Sequence, residues 1–195
     1  MRPEDQPELK FMIAVIGDAN LPIEHEKYIM ATECGRLLVD NDFRVLTGGM
    51  GGVMEAACRG GRQSESHTDG DTIGILPGLD PSEANPFIDI VIPTGLDYGR
   101  NTIVANSDAV IAIGGGAGTL SEIALAWQLK RLIIALRVDG WSGNLADTKI
   151  DSRVRHKHWE DDRVFGAETP EEAVRILVES LPKYERRHRG VRRRN

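Results

Sequence analysis

A run of glycines directly after a short, fully apolar segment constrains the fold of this chain more than any other feature. Residues 109–113 read Ala-Val-Ile-Ala-Ile, which is typical of a strand covered on both faces of a parallel sheet. Residues 114–119, Gly-Gly-Gly-Ala-Gly-Thr, follow at once and lead into a helix predicted over residues 120–131. Glycines allow a ligand to approach the backbone, and the free N–H groups at a helix start attract anions. The junction therefore predicts an anion-binding loop, with phosphate as the expected anion.

Two common phosphate-binding motifs do not fit this junction. A Walker A loop ends in Gly-Lys-Ser/Thr, but Gly118 is followed by Thr119 and Leu120, so the loop has no lysine. The dinucleotide fingerprint needs a third glycine where Ser121 stands. The motif that remains is Gly-Gly-x-Gly-Thr-x-x-Glu, which ends at Glu122.

A second glycine-rich junction lies at residues 47–52, Thr-Gly-Gly-Met-Gly-Gly, between a predicted strand and a predicted helix. Such glycines can serve tight packing alone, or they can bind a ligand. Two such loops in one small domain are more than packing needs, so we favour ligand binding. The predicted ligand- and phosphate-binding residues are Gly17, Thr47, Gly48, Gly49, Gly51, Gly52, Gly115, Gly116, Gly118 and Thr119.

Apolar runs alternate with helical patterns along the chain. Strands are predicted at residues 11–16, 43–46, 72–76, 88–92, 109–113 and 132–136, and helices at 24–40, 53–58, 98–106, 120–131 and 170–181. Gly60-Gly61 is predicted to end the second helix, and Val174, Leu177 and Val178 of the last helix are predicted to face the core. This alternation predicts an α/β fold: a single doubly wound parallel sheet, Rossmann-like, with helices on both faces. The glycine loops would then meet at the carboxyl edge of the sheet.

The segment 137–163 is long, polar and poorly periodic, which is typical of a functional or mobile stretch. It contains His156 and His158, a spacing that can chelate a metal. No Cys, Asp or Glu stands at a recognisable ligand spacing beside them, so no metal site is predicted.

Charge and composition narrow the partners. The chain carries a net charge of −6, and residues 183–195 hold seven basic residues and one acidic residue, which leaves −12 on residues 1–182. An acidic body is a poor match to a nucleic-acid groove, so nucleic acid is not an expected partner. The basic end could contact RNA or anionic lipid, but we favour a solvated, disordered tail over residues 183–195.

The expected domain organisation is a disordered leader at residues 1–10, one nucleotide- or phosphate-binding domain at 11–182, and the basic tail. Cys34 and Cys58 both fall in predicted helices, which favours buried, reduced thiols. No signal peptide or membrane-spanning run is present in the sequence, so a cytoplasmic location is expected.

Both glycine-rich stretches, including Met54-Glu55 after the second, resemble motifs of the LONELY GUY, or lysine-decarboxylase-like (SLOG), superfamily. That superfamily includes cytokinin nucleotide phosphoribohydrolases and molybdenum cofactor carrier proteins. The resemblance covers about residues 11–136 and a closing helix near 165–177. It implies a homo-oligomer, dimer or tetramer, whose partner is a small phosphorylated ligand. No cofactor is required, although molybdenum cofactor or a nucleoside monophosphate is a possible bound ligand.

This sequence departs from the phosphoribohydrolase pattern at the positions that matter for chemistry. Gly114 stands where those enzymes have proline, Ser121 replaces the first of two glutamates, and Arg100-Asn101 replaces an Arg-Lys pair with the arginine displaced by one residue. These departures resemble the carrier branch more closely, in which the implied role is binding.

Two functions of different class therefore stay open. The first is a binding protein that needs no catalytic acid. The second is a nucleoside 5′-monophosphate phosphoribohydrolase, in which Glu122 would act beside the sugar and Arg100 would clamp phosphate or base. Without such a role, Glu122 would be an ordinary first-turn glutamate that favours the helix dipole, and Arg100 a surface helix residue.

Overall fold

The computed structural model describes residues 10–184, which form one seven-stranded, all-parallel sheet. The strands are β1 (Met12–Gly17), β2 (Arg44–Thr47), β3 (Thr72–Leu76), β4 (Ile90–Pro93), β5 (Ala109–Ile113), β6 (Leu132–Leu136) and β7 (Val164–Ala167). The helices are α1 (Glu26–Asp40), α2 (Val53–Gln63), α3 (Asn101–Ala105), α4 (Ala117–Gln128), α5 (Trp141–Leu145) and α6 (Pro170–Ser180). The strand order is β4-β3-β2-β1-β5-β6-β7. The predicted doubly wound, Rossmann-like α/β fold is confirmed.

The strand order reverses between β1 and β5. From β1 the chain winds outward through β2 and β3 to β4, then returns to β5 beside β1 and winds outward in the other direction. Ile13 pairs with Ala109 and Gly17 with Ile113, so the carboxyl ends of the two central strands lie side by side. In an open α/β sheet, such a reversal opens the crevice in which ligands bind.

Each face of the sheet has its own core. In β1, Ile13 and Val15 pack with α1, α2 and α6, whereas Ala14 and Ile16 pack with α3 and α4. Alternate residues of a strand point to opposite faces, and a strand buried on both must therefore be apolar throughout. This is why β5 and β6 consist only of Ala, Val, Ile and Leu, all of them buried.

The helix pair α1 and α2 corrects one prediction. Gly60-Gly61 does not end the second helix, which continues to Gln63. Instead, a Cβ at Gly60 would collide with the carbonyl of Thr32 in α1, and a Cβ at Gly35 would collide with the carbonyl of Ala57 in α2. The two glycines therefore let the helix backbones touch, a packing role that outweighs the low helix propensity of glycine.

The carboxyl-terminal third differs from the prediction in three ways. The segment 137–163 contains helix α5, and a seventh strand, β7, begins at Val164. Phe165, which the resemblance placed near the start of a closing helix, lies in this strand. The helix starts at Pro170 after its Thr169 cap, as the residue pattern predicts. Val178 does not face the core: it is 46% exposed.

The long segment before β7 is anchored to the body by a buried ion pair. Arg155 donates to both carboxylate oxygens of Asp162 and stacks on the ring of Trp127 in α4, with its Cζ 3.6 Å from the ring centroid. Tyr184 is buried and donates its hydroxyl to Asp162 at 2.6 Å. Tyr184 and Lys183, assigned to the tail by the sequence, therefore belong to the folded body; the rest of the predicted tail lies outside the described residues.

The two histidines of the segment 137–163 lie in different surroundings. His156 is buried and packs edge-to-face against Tyr184, while His158 lies on the surface with its Nε2 3.0 Å from the carbonyl oxygen of Lys183. Within residues 10–184, no three His, Cys, Asp or Glu side chains are grouped so as to hold a metal ion. No helix of the same range is long and apolar enough to cross a bilayer.

Candidate functional site

A cavity of about 470 Å³ opens at the carboxyl edge of the sheet, where β1 and β5 end side by side. This volume lies within the usual range for small-molecule sites. It is lined by Ile16, Gly17, Asp18, Ala19, Gly48, Met50, Met54, Pro77, Asp97, Tyr98, Arg100, Asn101, Gly116, Gly118, Thr119 and Glu122. The structure thus brings seven of the predicted site residues to one cavity: Gly17, Gly48, Arg100, Gly116, Gly118, Thr119 and Glu122.

The start of α4 forms the candidate anion site. The helix begins at Ala117, three residues earlier than predicted, with Gly116 as its N-cap. The backbone N–H groups of residues 116–119 donate to no other residue within 10–184, and Gly116 to Gly118 are exposed. These are the N–H groups that every helix leaves unpaired at its start, and they carry the positive end of the helix dipole. We call the four donors the 116–119 anion site.

The backbone N–H of Gly115, which directly precedes these four donors, already has a partner. Asp18, which follows β1, accepts a hydrogen bond of 3.0 Å from the N–H of Gly115. The same carboxylate oxygen accepts one of 2.9 Å from the ammonium of Lys27 in α1. Gly115, predicted to bind phosphate, therefore serves the protein's own carboxylate, and an incoming anion is left with residues 116–119.

Helix α5 supports the glycine loop from behind. The N–H groups of Trp141 and Ser142 each donate at 3.0 Å, to the carbonyls of Gly115 and Gly114. The hydroxyl of Ser142 accepts from the N–H of Gly114 at 2.7 Å and donates to the carbonyl of Leu136 at 2.7 Å. Gly114 has a φ of +65°, close to the left-handed region that glycine adopts freely. Proline at this position could neither adopt that φ nor donate to Ser142, which explains this departure from the phosphoribohydrolase pattern.

Arg100 and Glu122 form a buried ion pair on the cavity wall. Arg100 Nη1 donates to Glu122 Oε1 at 2.9 Å, and the two side chains are 12% and 8% exposed. The guanidinium lies flat against Gly48, where a Cβ would be only 2.5 Å from both terminal nitrogens. A side chain at residue 48 would therefore displace the guanidinium from this position.

Burial controls the ionisation of Glu122. Desolvation raises the pKa of its carboxyl to about 7, although the charge and hydrogen bond of Arg100 act in the opposite direction. Glu122 is therefore not an ordinary, solvated first-turn glutamate, and Arg100 is not a free surface residue. A carboxyl that titrates near neutrality within a cavity is a recognised mark of a functional site.

A second polar pair takes the neighbouring positions. Asn101 Nδ2 donates to Ser121 Oγ at 2.8 Å, and Ser121 Oγ donates to the carbonyl of Gly118 at 2.7 Å. That carbonyl shares a rigid peptide plane with the N–H of Thr119, which points the opposite way. The pair therefore fixes the orientation of one donor of the 116–119 anion site. It carries no charge, whereas the resemblance implies lysine and glutamate at these positions.

The loop between β2 and α2 supports the site more than it lines it. Thr47 is fully buried and accepts the N–H of Gly49, and the carbonyl of Asp18 accepts the N–H of Val53. Gly52 has a φ of +64° and its backbone packs on the backbone of Asp18 and Ala19. The predicted residues outside the cavity lining are Thr47, Gly49, Gly51, Gly52 and Gly115, which shape the backbone around it.

The remaining wall is largely apolar and was not predicted. Met50 and Tyr98 stand at the mouth and are 40% and 81% exposed, with Met54 and Pro77 deeper. Asp97 also lines the cavity and holds a φ of +49°, in a conformation that Asp adopts more readily than most residues. Single Met, Tyr and Asp residues on separate segments give no periodic signal, so they come together only in the folded structure.

A doubly wound parallel sheet with a cavity where the strand order reverses is the architecture of Rossmann-type proteins, which bind small ligands at that position. More narrowly, the chain belongs to the SLOG cluster4 family, whose model matches residues 10–174. The predicted superfamily is thereby confirmed.

Three relatives illustrate the range of this superfamily. The chain is 31% identical to the cytokinin riboside 5′-monophosphate phosphoribohydrolase LOG of Oryza sativa subsp. japonica, over 80% of this chain and 67% of that protein. The molybdenum cofactor binding protein of Rippkaea orientalis superposes with a TM-score of 0.72 and 32% identity, over 90% of this chain and 99% of that chain. The molybdenum cofactor carrier protein of Chlamydomonas reinhardtii superposes with a TM-score of 0.70 and 27% identity, over 89% and 99%.

Proposed function

We propose that this protein binds a phosphorylated small molecule, with the phosphate on the 116–119 anion site. One observation carries the proposal: four backbone donors at the start of α4 have no partner within residues 10–184, and Gly116, Gly118 and Thr119 line the cavity. Helix starts of this kind bind phosphate in many α/β proteins. Gly116 and Gly118 leave open space above the donors, because a Cβ at either residue would have no atom within 4 Å.

The rest of the ligand is a nucleotide-like or pterin group in this proposal. The apolar wall formed by Met50, Met54 and Tyr98 suits a planar ring, and the cavity volume suits a molecule of that size. A nucleoside 5′-monophosphate and the molybdenum cofactor both join a phosphate to a ring system. The similar proteins of Rippkaea and Chlamydomonas, which bind or carry molybdenum cofactor, support a carrier-like role.

A phosphoribohydrolase is the second candidate, and the Arg100–Glu122 pair favours it. An ionisable carboxyl one helical turn from a phosphate could act beside the sugar, while the arginine holds the phosphate or base. The similarity to the rice enzyme gives this candidate its support. Against it, Ser121 and Asn101 form a neutral pair where the enzymes of the resemblance carry charged groups. Binding without turnover is therefore the preferred function.

Native mass spectrometry of the purified protein provides the first test. A retained mass equal to a pterin phosphate or a nucleotide supports the proposal and identifies the ligand class. Titration of AMP and of adenosine by calorimetry then isolates the contribution of the phosphate. We expect AMP to bind more tightly than adenosine.

Substitutions at Gly118 test the placement of the phosphate. Gly118→Asp should place a carboxylate over the donors and weaken AMP binding about 30-fold to 1,000-fold, through lost charge-assisted hydrogen bonds and added repulsion. Gly118→Asn, of the same size but neutral, should weaken it much less. Both variants should fold, because the added side chain meets open space. If Gly118→Asp folds and binds AMP as tightly as wild type, the loop is structural and the proposal is wrong.

A further inference from the structure

The geometry of the cavity points to a consequence of placing an anion beside Glu122. Gly118 and Glu122 are four residues apart on α4, so they share one face of the helix and lie about one turn, roughly 5 to 6 Å, apart. An anion on the 116–119 anion site is therefore a close neighbour of the Glu122 carboxylate. Both would draw on the same cation, Arg100.

The charged side chains around Glu122 do not offset this accumulation of negative charge. Within residues 10–184, Arg100 is the one cation lining the cavity, and its Nη1 already donates to Glu122. Asp97, from the same segment as Arg100, and Asp18, after β1, add negative charge to the lining. Lys27 of α1 reaches Asp18 and is paired there.

Among the residues that the structure describes, the other neighbours add no charge to the cavity. The segment between β2 and α2 lines it with Gly48, Met50 and Met54, and the polar neighbours on α3 and α4 are Asn101 and Thr119. A phosphate placed at the start of α4 would therefore bring further negative charge to a cavity whose lining, in the described part of the chain, holds three carboxyl groups and one arginine.

We propose that anion binding at this site is coupled to the uptake of one proton by the Glu122 carboxyl. This inference rests on the proposed placement of phosphate at residues 116–119. A solvent proton adds to one carboxylate oxygen of Glu122 as the anion binds. The protonated Glu122 is neutral and no longer balances the charge of Arg100. Arg100 can then pair with the bound anion in place of the Glu122 carboxylate. On release of the ligand, the proton returns to solvent.

The titration of Glu122 sets the pH range of this coupling. Because burial raises the pKa of this carboxyl to about 7, the free protein already carries the proton below that pH and must acquire it above. Anion affinity should be nearly constant below pH 7. It should fall about tenfold for each pH unit above 7, as long as the bound anion holds the proton on Glu122.

Inorganic sulfate is the probe, because sulfate does not titrate in this pH range. Any proton taken up on binding is therefore taken up by the protein. Calorimetry at pH 8 in two buffers of different ionisation enthalpy measures the protons taken up per anion bound. We expect about 0.5 to 1 proton for wild type at pH 8 and close to zero at pH 6. Glu122→Gln should take up none and should bind sulfate about equally at both pH values. Glu179→Gln, an exposed position on α6, is the matched control and should behave as wild type.

The possible results separate this inference from the proposed function. Sulfate binding with proton uptake that disappears in Glu122→Gln supports both. Sulfate binding without uptake, or with uptake that persists in Glu122→Gln, overturns the coupling and leaves the anion site standing. No sulfate binding by wild type or Glu122→Gln at either pH counts against the anion site itself, and the inference fails with it.

Discussion

The side-chain oxygen of Ser142 accepts a hydrogen bond of 2.7 Å from the backbone N–H of Gly114, joining a helix absent from the sequence prediction to the glycine loop. Ser142 is fully buried and uses its own proton on the carbonyl of Leu136. The segment after β6 thus supports the glycine loop at Gly114, on the strand side of the 116–119 anion site.

Ser142→Ala should destabilise the protein by about 1 to 3 kcal/mol, because it leaves the buried N–H of Gly114 without a partner. The carbonyl of Leu136 also loses the hydroxyl, but it still accepts the N–H of Val138. The substitution should also weaken AMP binding, since the loop loses support. Chemical denaturation and calorimetry measure the two effects. Ser152→Ala, on the exposed surface of the same segment, is the control and should change neither. Equal stability of the two variants would contradict the supporting role of Ser142.

Gly114→Pro should be more damaging than Ser142→Ala, although proline is the residue that the phosphoribohydrolase pattern has at this position. Proline fixes φ near −65°, whereas Gly114 holds +65°, and proline also removes the N–H that Ser142 accepts. We expect a loss of about 3 kcal/mol or more, measured by denaturant unfolding. A stable Gly114→Pro variant that still binds AMP would show that the loop can adopt the enzymes' conformation.

Glu122→Gln should change how stability depends on pH. In wild type, the folded carboxyl has a pKa near 7, above its unfolded value of about 4.5, so the folded state holds a proton that the unfolded state releases between these pH values. Wild-type stability therefore falls as pH rises through this window, and Gln removes that loss. The free energy of unfolding of the variant minus that of wild type should grow by on the order of 2 to 3 kcal/mol from pH 5 to pH 8. A difference that is constant with pH would contradict the raised pKa.

Hydrolysis of AMP to adenine and ribose 5-phosphate should be slow or absent. A site that lacks one of two cooperating polar groups commonly loses about 10²-fold to 10⁴-fold in rate, and here Ser121 stands in place of one carboxylate. Chromatographic detection of free adenine gives the rate. Robust turnover of AMP or a cytokinin nucleotide that Glu122→Gln abolishes would establish the hydrolase as the function.

The protein should form a homo-oligomer in solution. Leu120 and Leu125 of α4 stay only half-buried, and Ile103 of the adjoining α3 is 40% exposed, which leaves an apolar surface for another copy to cover. Light scattering should give a dimer or larger, well above the chain mass of 21.5 kDa. Ile103→Glu should shift the mass toward the monomer, and Val154→Glu, on a separate exposed segment, should not. A monomeric wild type at micromolar concentration would count against this surface.

The features predicted from sequence are those with local signals. The sequence predicts β5 and the glycine loop because an apolar run and a run of glycines are adjacent in the chain. Gly60 was misread because its contact with Thr32 is made across two helices, and local propensity carries no trace of it. β7 has only four residues, one of them glycine, and its position at the sheet edge follows from pairing with β6.

The interior of the site was predictable only in part. The glycine motif indicated Glu122, but two effects on its pKa depend on distant segments: the burial that raises it and the charge of Arg100 that lowers it. Asn101 and Ser121 were each recognised as departures from the phosphoribohydrolase pattern. That they bond to each other follows from the packing of α3 on α4. The placement of Asp18 on the N–H of Gly115 is likewise a tertiary contact.

The proposed anion site consists only of main-chain donors, so the residues that would hold the anion are separate from the side chains that would contact the rest of the ligand. The four N–H groups of residues 116–119 are the same chemical groups in any sequence that keeps the glycines, so substitutions elsewhere leave them intact. Met50 and Tyr98 stand at the mouth, and their side chains make no hydrogen bond within residues 10–184, so each can be exchanged without disturbing the loop. A lineage that retains this loop can therefore acquire a new ligand through successive changes at the mouth alone. Under the proposed function, the glycine motif identifies the phosphate site, and the residues at the mouth determine which ring system that phosphate carries.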